Sequence, residues 1–183
     1  QAISCNYHKE LSTSGEISEK VMSLSEIATY KEVDTVVVAT SGNVALIPTF
    51  EAIKKGKNIA IANKETIIMA GEQLISLAES NSVNLMPIDS EPSAIWQCLR
   101  GENNHISKLI ITASGGPFRN TPVGSLPSVT PANALQHPTW KMGAKISVDS
   151  ATMMNKAFEV IEARWLFDVP WENIEVIVHP ESI

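Results

Sequence analysis

The sequence predicts an α/β fold built on a parallel sheet, and two observations carry that prediction. Short β-branched or apolar runs at residues 33–39, 58–62 and 83–88 alternate with longer stretches of helical periodicity at 44–55 and 66–79. Strands alternating with helices of this length imply βαβ units, whose crossovers are right-handed. The first run, Val-Asp-Thr-Val-Val-Val-Ala, also has the nearly continuous apolar character of a strand covered on both faces.

Residues 1–22 are polar and weakly patterned and receive no assignment. A short helix is expected over 24–30, with Leu24, Ile27 and Ala28 on one face. After the strand at 33–39 comes a turn at 40–43, then a helix closed by Gly56 as its C-terminal cap. In a sheet of this kind ligands bind outside the carboxyl ends of the strands. Three polar segments leave those ends: residues 40–43, Asn63-Lys64-Glu65 and Asp89-Ser90-Glu91. Topology therefore says where to look for chemistry.

The pattern changes at Asp89, which places a domain boundary there. A helix is expected at 92–99, a strand at 108–113, and a glycine-rich turn at 114–119. Residues 120–147 form a long stretch of little regular structure, with prolines at 117, 122, 127, 131 and 138 in and just before it. Such a stretch is characteristic of a functional loop or lid. A strong helix is expected at 151–167 with Asp149 or Ser150 at its N-cap, followed by a strand at 174–178.

Composition narrows the function classes. Over 183 residues, 44% are hydrophobic and 19% charged, enough apolar material for a sizeable core. A net charge of -6 argues against nucleic acid or an anionic membrane surface as a general partner, while leaving room for an anionic small substrate. Cys5 and Cys98 stand far apart in no metal-ligating spacing and read as reduced thiols. No run is long and apolar enough to span a bilayer. The chain opens on Gln1 and stops just after a strand-like run, so both ends are expected to be cuts from something longer.

Several residues carry potential chemistry. Asp89 and Glu91, one residue apart past a strand end, can both turn toward one hard divalent cation, although Asp-Ser-Glu-Pro also announces a helix start. On the helix expected at 151–167, Thr152, Asn155, Lys156, Glu159 and Glu162 share one stripe on an otherwise apolar cylinder. That stripe either faces solvent, with Lys156 and Glu159 as a weak surface pair, or lines a site. A helix N-terminus carrying Ser150, Asn155 and Lys156 would suit a phosphate, with Glu159 as a third carboxylate beside Asp89 and Glu91. The glycine-rich turn at 114–119 lets backbone N–H groups approach an anion, and Ser114 adds a hydroxyl. Lys64, at a strand end, either meets an anionic substrate or stands exposed. His137 in its loop is ambiguous alone, but Trp140 and Met142 beside it need something apolar to cover, as a closing lid provides.

Together these segments resemble one family. Ala-Asn-Lys-Glu at 62–65, Pro-Ile-Asp-Ser-Glu at 87–91, Ser-Gly-Gly-Pro-Phe-Arg at 114–119, His-Pro-Thr-Trp-Lys-Met-Gly at 137–143 and the long run at 145–167 are similar to 1-deoxy-D-xylulose 5-phosphate reductoisomerases, in the same order. The resemblance covers nearly everything from 33 to 183. It implies a fold in which residues 1–88 are the later part of a Rossmann-like NADPH-binding domain and 89–183 an α+β catalytic domain with a mobile lid loop. It implies that Asp89, Glu91 and Glu159 hold Mg²⁺ or Mn²⁺, with Co²⁺ a third candidate. Ser114, Ser150, Asn155 and Lys156 match phosphate-binding positions, and Lys64, Ser90 and His137 match further substrate contacts. Glu91 and Glu159 belong to the substrate set as well, and Lys64, Glu91, His137 and Glu159 to the catalytic set. Asn63, Glu65 and Gly143 match positions near NADPH, and Trp140 and Met142 match the lid.

The implied reaction converts 1-deoxy-D-xylulose 5-phosphate to 2-C-methyl-D-erythritol 4-phosphate, a step of non-mevalonate isoprenoid synthesis, by metal-assisted skeletal rearrangement and hydride transfer from NADPH. Family analogy adds a homodimer, no nucleic-acid or membrane partner, and a bacterial cytoplasm or plastid stroma as the compartment. Two rivals are a related reductase acting on another phosphorylated substrate and a non-catalytic relative. The phosphate set argues against the first and the presence of all three carboxylates against the second. The chain also lacks the glycine-rich turn after an early strand with which the family opens, and the family's C-terminal helical domain. By itself it is expected to be without useful reductase activity.

Overall fold

In the computed structural model, which describes residues 22–179 and residue 181, three parallel strands organise the first part of the chain. They are β1 (Thr35–Val38), β2 (Asn58–Ile61) and β3 (Leu85–Pro87), in the order β1-β2-β3. Val36 stands beside Ile59, and Ile59 beside Leu85. This part ends at Asp89, where the chain divides into two units.

Within the first unit, α1 (Leu24–Ala28) starts at a reciprocal cap. The Ser23 hydroxyl accepts from the Glu26 amide, and the Glu26 carboxylate accepts from the Ser23 amide. A 3₁₀ turn at Gly42–Ala45 leads from β1 into α2 (Leu46–Lys54). Lys55 is the cap of α2, and Gly56 follows it at φ +71°, in the left-handed conformation that lets the chain turn back into β2. The third helix, α3 (Lys64–Ser80), is kinked at Ala70 (φ -149°, ψ 32°). Ala52, Ile53, Ile59, Ile61, Ile67 and Leu74 form the buried interior. β2 alternates half-buried and buried residues, but β1 does not have both faces covered as its composition suggests. Among the described residues it lies at one edge of the sheet, and Val37 is 64% exposed.

The second unit begins at Ser90. It contains α4 (Ser90–Cys98), β4 (Leu109–Ala113), a 3₁₀ turn at Val123–Ser128, α5 (Pro131–Ala134), α6 (Ala144–Ala151), α7 (Met154–Phe167), a 3₁₀ turn at Trp171–Asn173 and β5 (Ile174–Val178). β4 and β5 pair in parallel, Leu109 beside Ile174 and Ala113 beside Val178. Leu109, Ile111 and Ala113 alternate into the interior. Leu109 and Ile111 join Ala163 and Val169 in a core covered by Ile95, Ile106, Val160, Phe167 and Ile174. Burying a side chain such as Leu109 or Ile111 contributes about 1.5–3 kcal/mol, so this layer is what fixes α7 against the sheet.

One expectation is corrected here. There is no single helix from 151 with Asp149 or Ser150 at its N-cap. Both residues lie in the last turn of α6, and α7 starts three residues after Ala151. The break is made by Met153, which adopts φ 59°, ψ 8° and so ends one helical path and begins another. Ser150 is therefore at the C-terminal end of a helix, and the helix N-terminus expected to present its hydroxyl to a phosphate is not built that way.

Candidate active site

In the first unit, chemistry gathers where β2 and β3 end. Asn63, 2% exposed, is the N-cap of α3, and its Oδ1 accepts from the Thr66 amide at 2.8 Å and the Thr66 hydroxyl at 2.7 Å. Its Nδ2 donates to the carbonyls of Thr40 (2.5 Å) and Gly42 (2.9 Å). A carboxamide has two donor hydrogens and two acceptor lone pairs, so Asn63 is saturated. It joins the loop after β1 to the loop after β2. Next to it Lys64, buried at 6% exposure, places its ammonium 2.9 Å from Asp89 Oδ2. Glu65 is half-buried in the first turn of α3.

The second unit builds its site around Lys156 on α7. The buried ammonium donates to Glu91 Oε1 at 2.7 Å, to the Thr112 carbonyl at 2.6 Å, and pairs with Glu159. Glu91 sits in the first turn of α4, and its other oxygen accepts from the Ser90 hydroxyl at 2.5 Å. The Asn155 amide donates to the second oxygen of Glu159. Glu159 and Glu162 are each 1% exposed, so the polar stripe of α7 faces inward and is no solvated face with a weak surface pair. Burial pushes the Glu91 carboxyl up, but hydrogen bonds from Lys156 and Ser90 and the Lys156 charge outweigh it and hold the group below the ordinary value of 4.5.

Beside β4 lies the glycine-rich turn. Gly115 and Gly116 have φ +84° and +68°, which side-chain-bearing residues rarely adopt. A methyl group on Gly116 would stand 2.4 Å from the Ser150 carbonyl oxygen, so the missing side chain lets the turn lie against the end of α6. The structure thereby brings Ser114 and Ser150 into one neighbourhood. The Ser114 hydroxyl accepts from the Gly116 amide at 3.3 Å and lies 3.1 Å from His137 Nε2. His137 Nδ1 accepts from the amides of Thr139 (3.2 Å) and Trp140 (2.9 Å). Burial and then the Arg119 charge lower the His137 pKa below 6.5. Trp140 is 56% exposed, Met142 is half-buried, and Gly143 is the N-cap of α6.

The three carboxylates expected to hold a metal belong to both units. Asp89 closes the first unit on Lys64, while Glu91 and Glu159 meet at Lys156 in the second. Among the described residues no three His, Cys, Asp or Glu side chains are gathered to hold a metal ion. Two carboxylates converging on one cationic nitrogen are nevertheless a donor set suited to a hard divalent cation.

Family models match both units. Residues 5–71 match 1-deoxy-D-xylulose 5-phosphate reductoisomerase, and residues 85–167 match that enzyme's C-terminal domain. The chain belongs to the 1-deoxy-D-xylulose 5-phosphate reductoisomerase family. The family member of Caldanaerobacter subterraneus subsp. tengcongensis is 58% identical over 161 residues, which is 87% of this chain and 42% of that protein. That of Heliobacterium modesticaldum is 54% identical over 160 residues, 87% of this chain and 41% of the relative. The chain thus spans about two fifths of the length of these relatives. Among solved structures, a DOX-P reductoisomerase in complex with NADPH, fosmidomycin and magnesium superposes with a TM-score of 0.82 at 42% identity, over 90% of this chain and 43% of that one. The reductoisomerase from Zymomonas mobilis in complex with NADPH gives 0.78 at 45% identity, over 87% of this chain and 41% of that one.

Sequence reasoning missed three features of this family member. The Thr112 carbonyl holds Lys156, and a backbone acceptor leaves no mark in a sequence. Gly116 opposes Ser150 across 34 positions of chain, which only the φ preference of a Gly-Gly pair hints at. Asn63 spends every hydrogen bond on protein atoms, although a polar residue at a strand end directly before a helix is a visible N-cap signal.

Proposed function

We propose that this chain supplies the chemical centre of an enzyme that converts 1-deoxy-D-xylulose 5-phosphate to 2-C-methyl-D-erythritol 4-phosphate, with residues up to 88 serving NADPH binding and residues from 89 serving catalysis. The observation that carries the reading is the convergence of Glu91 and Glu159 on Lys156, next to the Ser114–Gly116 turn on one sheet end. Asp89, Glu91 and Glu159 hold Mg²⁺ or Mn²⁺, which when bound supplies Lewis acidity to the substrate's carbonyl and hydroxyl oxygens. NADPH, when bound, supplies the hydride. Ser114, Ser150, Asn155 and Lys156 bind the phosphate, and Ser90, Lys64 and His137 orient the rest of the substrate. Lys156 also favours the ionised form of Glu91 and draws the two glutamates together, so the oxygens are in place before any ligand arrives. Trp140 and Met142 exclude water when the loop closes. Asn63 serves the cofactor by fixing the shape of two loops, with Glu65 and Gly143 beside it. The working form is a homodimer in a bacterial cytoplasm or plastid stroma. Among the described residues no helix is long and apolar enough to cross a membrane.

The test is Mn²⁺ binding followed by electron paramagnetic resonance, with a longer protein carrying this sequence assayed for NADPH oxidation. Glu159→Gln is expected to weaken Mn²⁺ binding at least about tenfold and to abolish turnover, because loss of an anionic ligand removes more than the factor of ten worth about 1.4 kcal/mol. Unchanged affinity and turnover would show the metal assignment to be wrong. The 183-residue chain alone is expected to show no NADPH-dependent turnover of the ketose phosphate, and measurable turnover would overturn that expectation.

A further inference from the structure

The contacts at the two ring nitrogens of His137 reach two different segments of the second unit. Nδ1 accepts from two backbone amides, Thr139 at 3.2 Å and Trp140 at 2.9 Å. A ring nitrogen that accepts cannot carry hydrogen, so the proton of the neutral imidazole sits on Nε2. The alternative tautomer would set an N–H against two N–H groups. Nε2 lies 3.1 Å from Ser114 Oγ and, bearing the proton, donates to it. The Gly116 amide donates to the same oxygen at 3.3 Å. A hydroxyl has two lone pairs and one proton. Both lone pairs are thus engaged, and the Ser114 proton is left to point elsewhere.

We infer that the loop segment 137–140 sets the hydrogen-bond polarity of Ser114, with His137 as the positioning residue that transmits it. While the loop amides hold Nδ1, the Ser114 hydroxyl is an obligate donor, matched to a group that only accepts, such as an ionised phosphate oxygen. When the loop leaves, His137 goes with it, and Ser114 loses the Nε2 donor and is free to adopt either polarity. The loop bearing the exposed Trp140 and the turn bearing Ser114 are therefore one device, read through an imidazole. Arg119, whose guanidinium donates to the Ser114 carbonyl at 2.9 Å, adds to burial a charge that disfavours a protonated imidazole. Only the naming of an acceptor-type ligand rests on the function proposed above.

The test uses the full chain labelled with ¹⁵N at histidine, with Thr139, Trp140, Ser114 and Gly116 assigned by nuclear magnetic resonance. Above the titration of the ring, His137 is expected to show a pyridine-type Nδ1 and a pyrrole-type Nε2 with no averaging. Two variants then separate the two ends. In His137→Asn the carboxamide oxygen can still cap the loop amides but nothing reaches Ser114. In His137→Gln the amide can reach Ser114 but no longer closes the turn. Exchange of the Thr139 and Trp140 amides is expected to stay slow in the Asn variant and to accelerate about fivefold in the Gln variant, the scale of one net hydrogen bond. Ser114 and Gly116 resonances should move in the Asn variant and hold in the Gln variant. A protonated Nδ1, or two variants that disturb both segments equally, would overturn the inference. None of these signals involves turnover, metal or NADPH, so their failure leaves the proposed function standing.

Discussion

Gly116→Ala should damage the second unit through one contact, and Gly101→Ala provides the control. Both glycines have positive φ, +68° at Gly116 and +85° at Gly101, so an alanine at either pays the left-handed penalty of about 1–2 kcal/mol. The entropy that alanine removes from the unfolded chain is common to both and cancels. The surroundings differ: nothing lies within 4 Å of a methyl group at 101, whereas one at 116 would stand 2.4 Å from the Ser150 oxygen and 3.1 Å from its carbonyl carbon. That carbonyl cannot yield freely, because it accepts from the Met153 amide at 3.1 Å and so ties α6 to the start of α7. Forcing the methyl in costs about 1–3 kcal/mol beyond the control. All four tryptophans, at 96, 140, 165 and 171, lie in the second unit, so urea unfolding followed by tryptophan fluorescence reports that unit. Gly116→Ala should lower the midpoint clearly further than Gly101→Ala. Coincident midpoints would refute the reasoning, since the backbone penalty alone would then account for both.

Two further outcomes follow from the ion pairs and the loop tie. Asn63→Ala removes four hydrogen bonds at once and should destabilise the first unit by about 2–4 kcal/mol, seen as faster hydrogen exchange in β1 and β2, because no tryptophan reports there. The Glu91 carboxyl titrates below its ordinary value, so its ionised form is the one the fold favours. The stability it contributes is present above the ordinary carboxylate pKa and is lost as pH falls through the lowered one. In Lys156→Met the burial of Glu91 remains while its opposing partner is gone. Its midpoint in a ¹³C carboxyl titration should move upward, and an unmoved midpoint would deny Lys156 that role.

The alternation of strands and helices was legible because β-branched runs such as 35–38 and 58–61 have few other structures open to them. The neighbourhood of Glu91, Lys156 and Glu159 was legible in part: residue types and a shared helical stripe pointed to a site, and the resemblance supplied the rest. The start of α6 and the break before α7 were not. Over residues 144–151 the buried side chains are Ser147 and Ala151 while Val148 stays 41% exposed, so apolar character does not mark the inward face. A methionine at φ 59° is a conformation that tertiary packing imposes and local preference does not announce. The inward direction of the stripe on α7 was likewise hidden, since Lys156 finds Glu91 across 65 positions and the Thr112 carbonyl across 44. Pairings of that range belong to the folded chain.

Asn63 has a consequence for how these loops can diverge. It grips the loop after β1 only by peptide carbonyls, so the link does not read the side chains of Thr40 or Ser41. Those positions can drift without slackening the joint. Asn63 itself cannot, because no other side chain offers two donors and two acceptors in so short a reach. One position therefore carries the constraint for both loops, and variation among relatives should fall almost wholly on its partner's side.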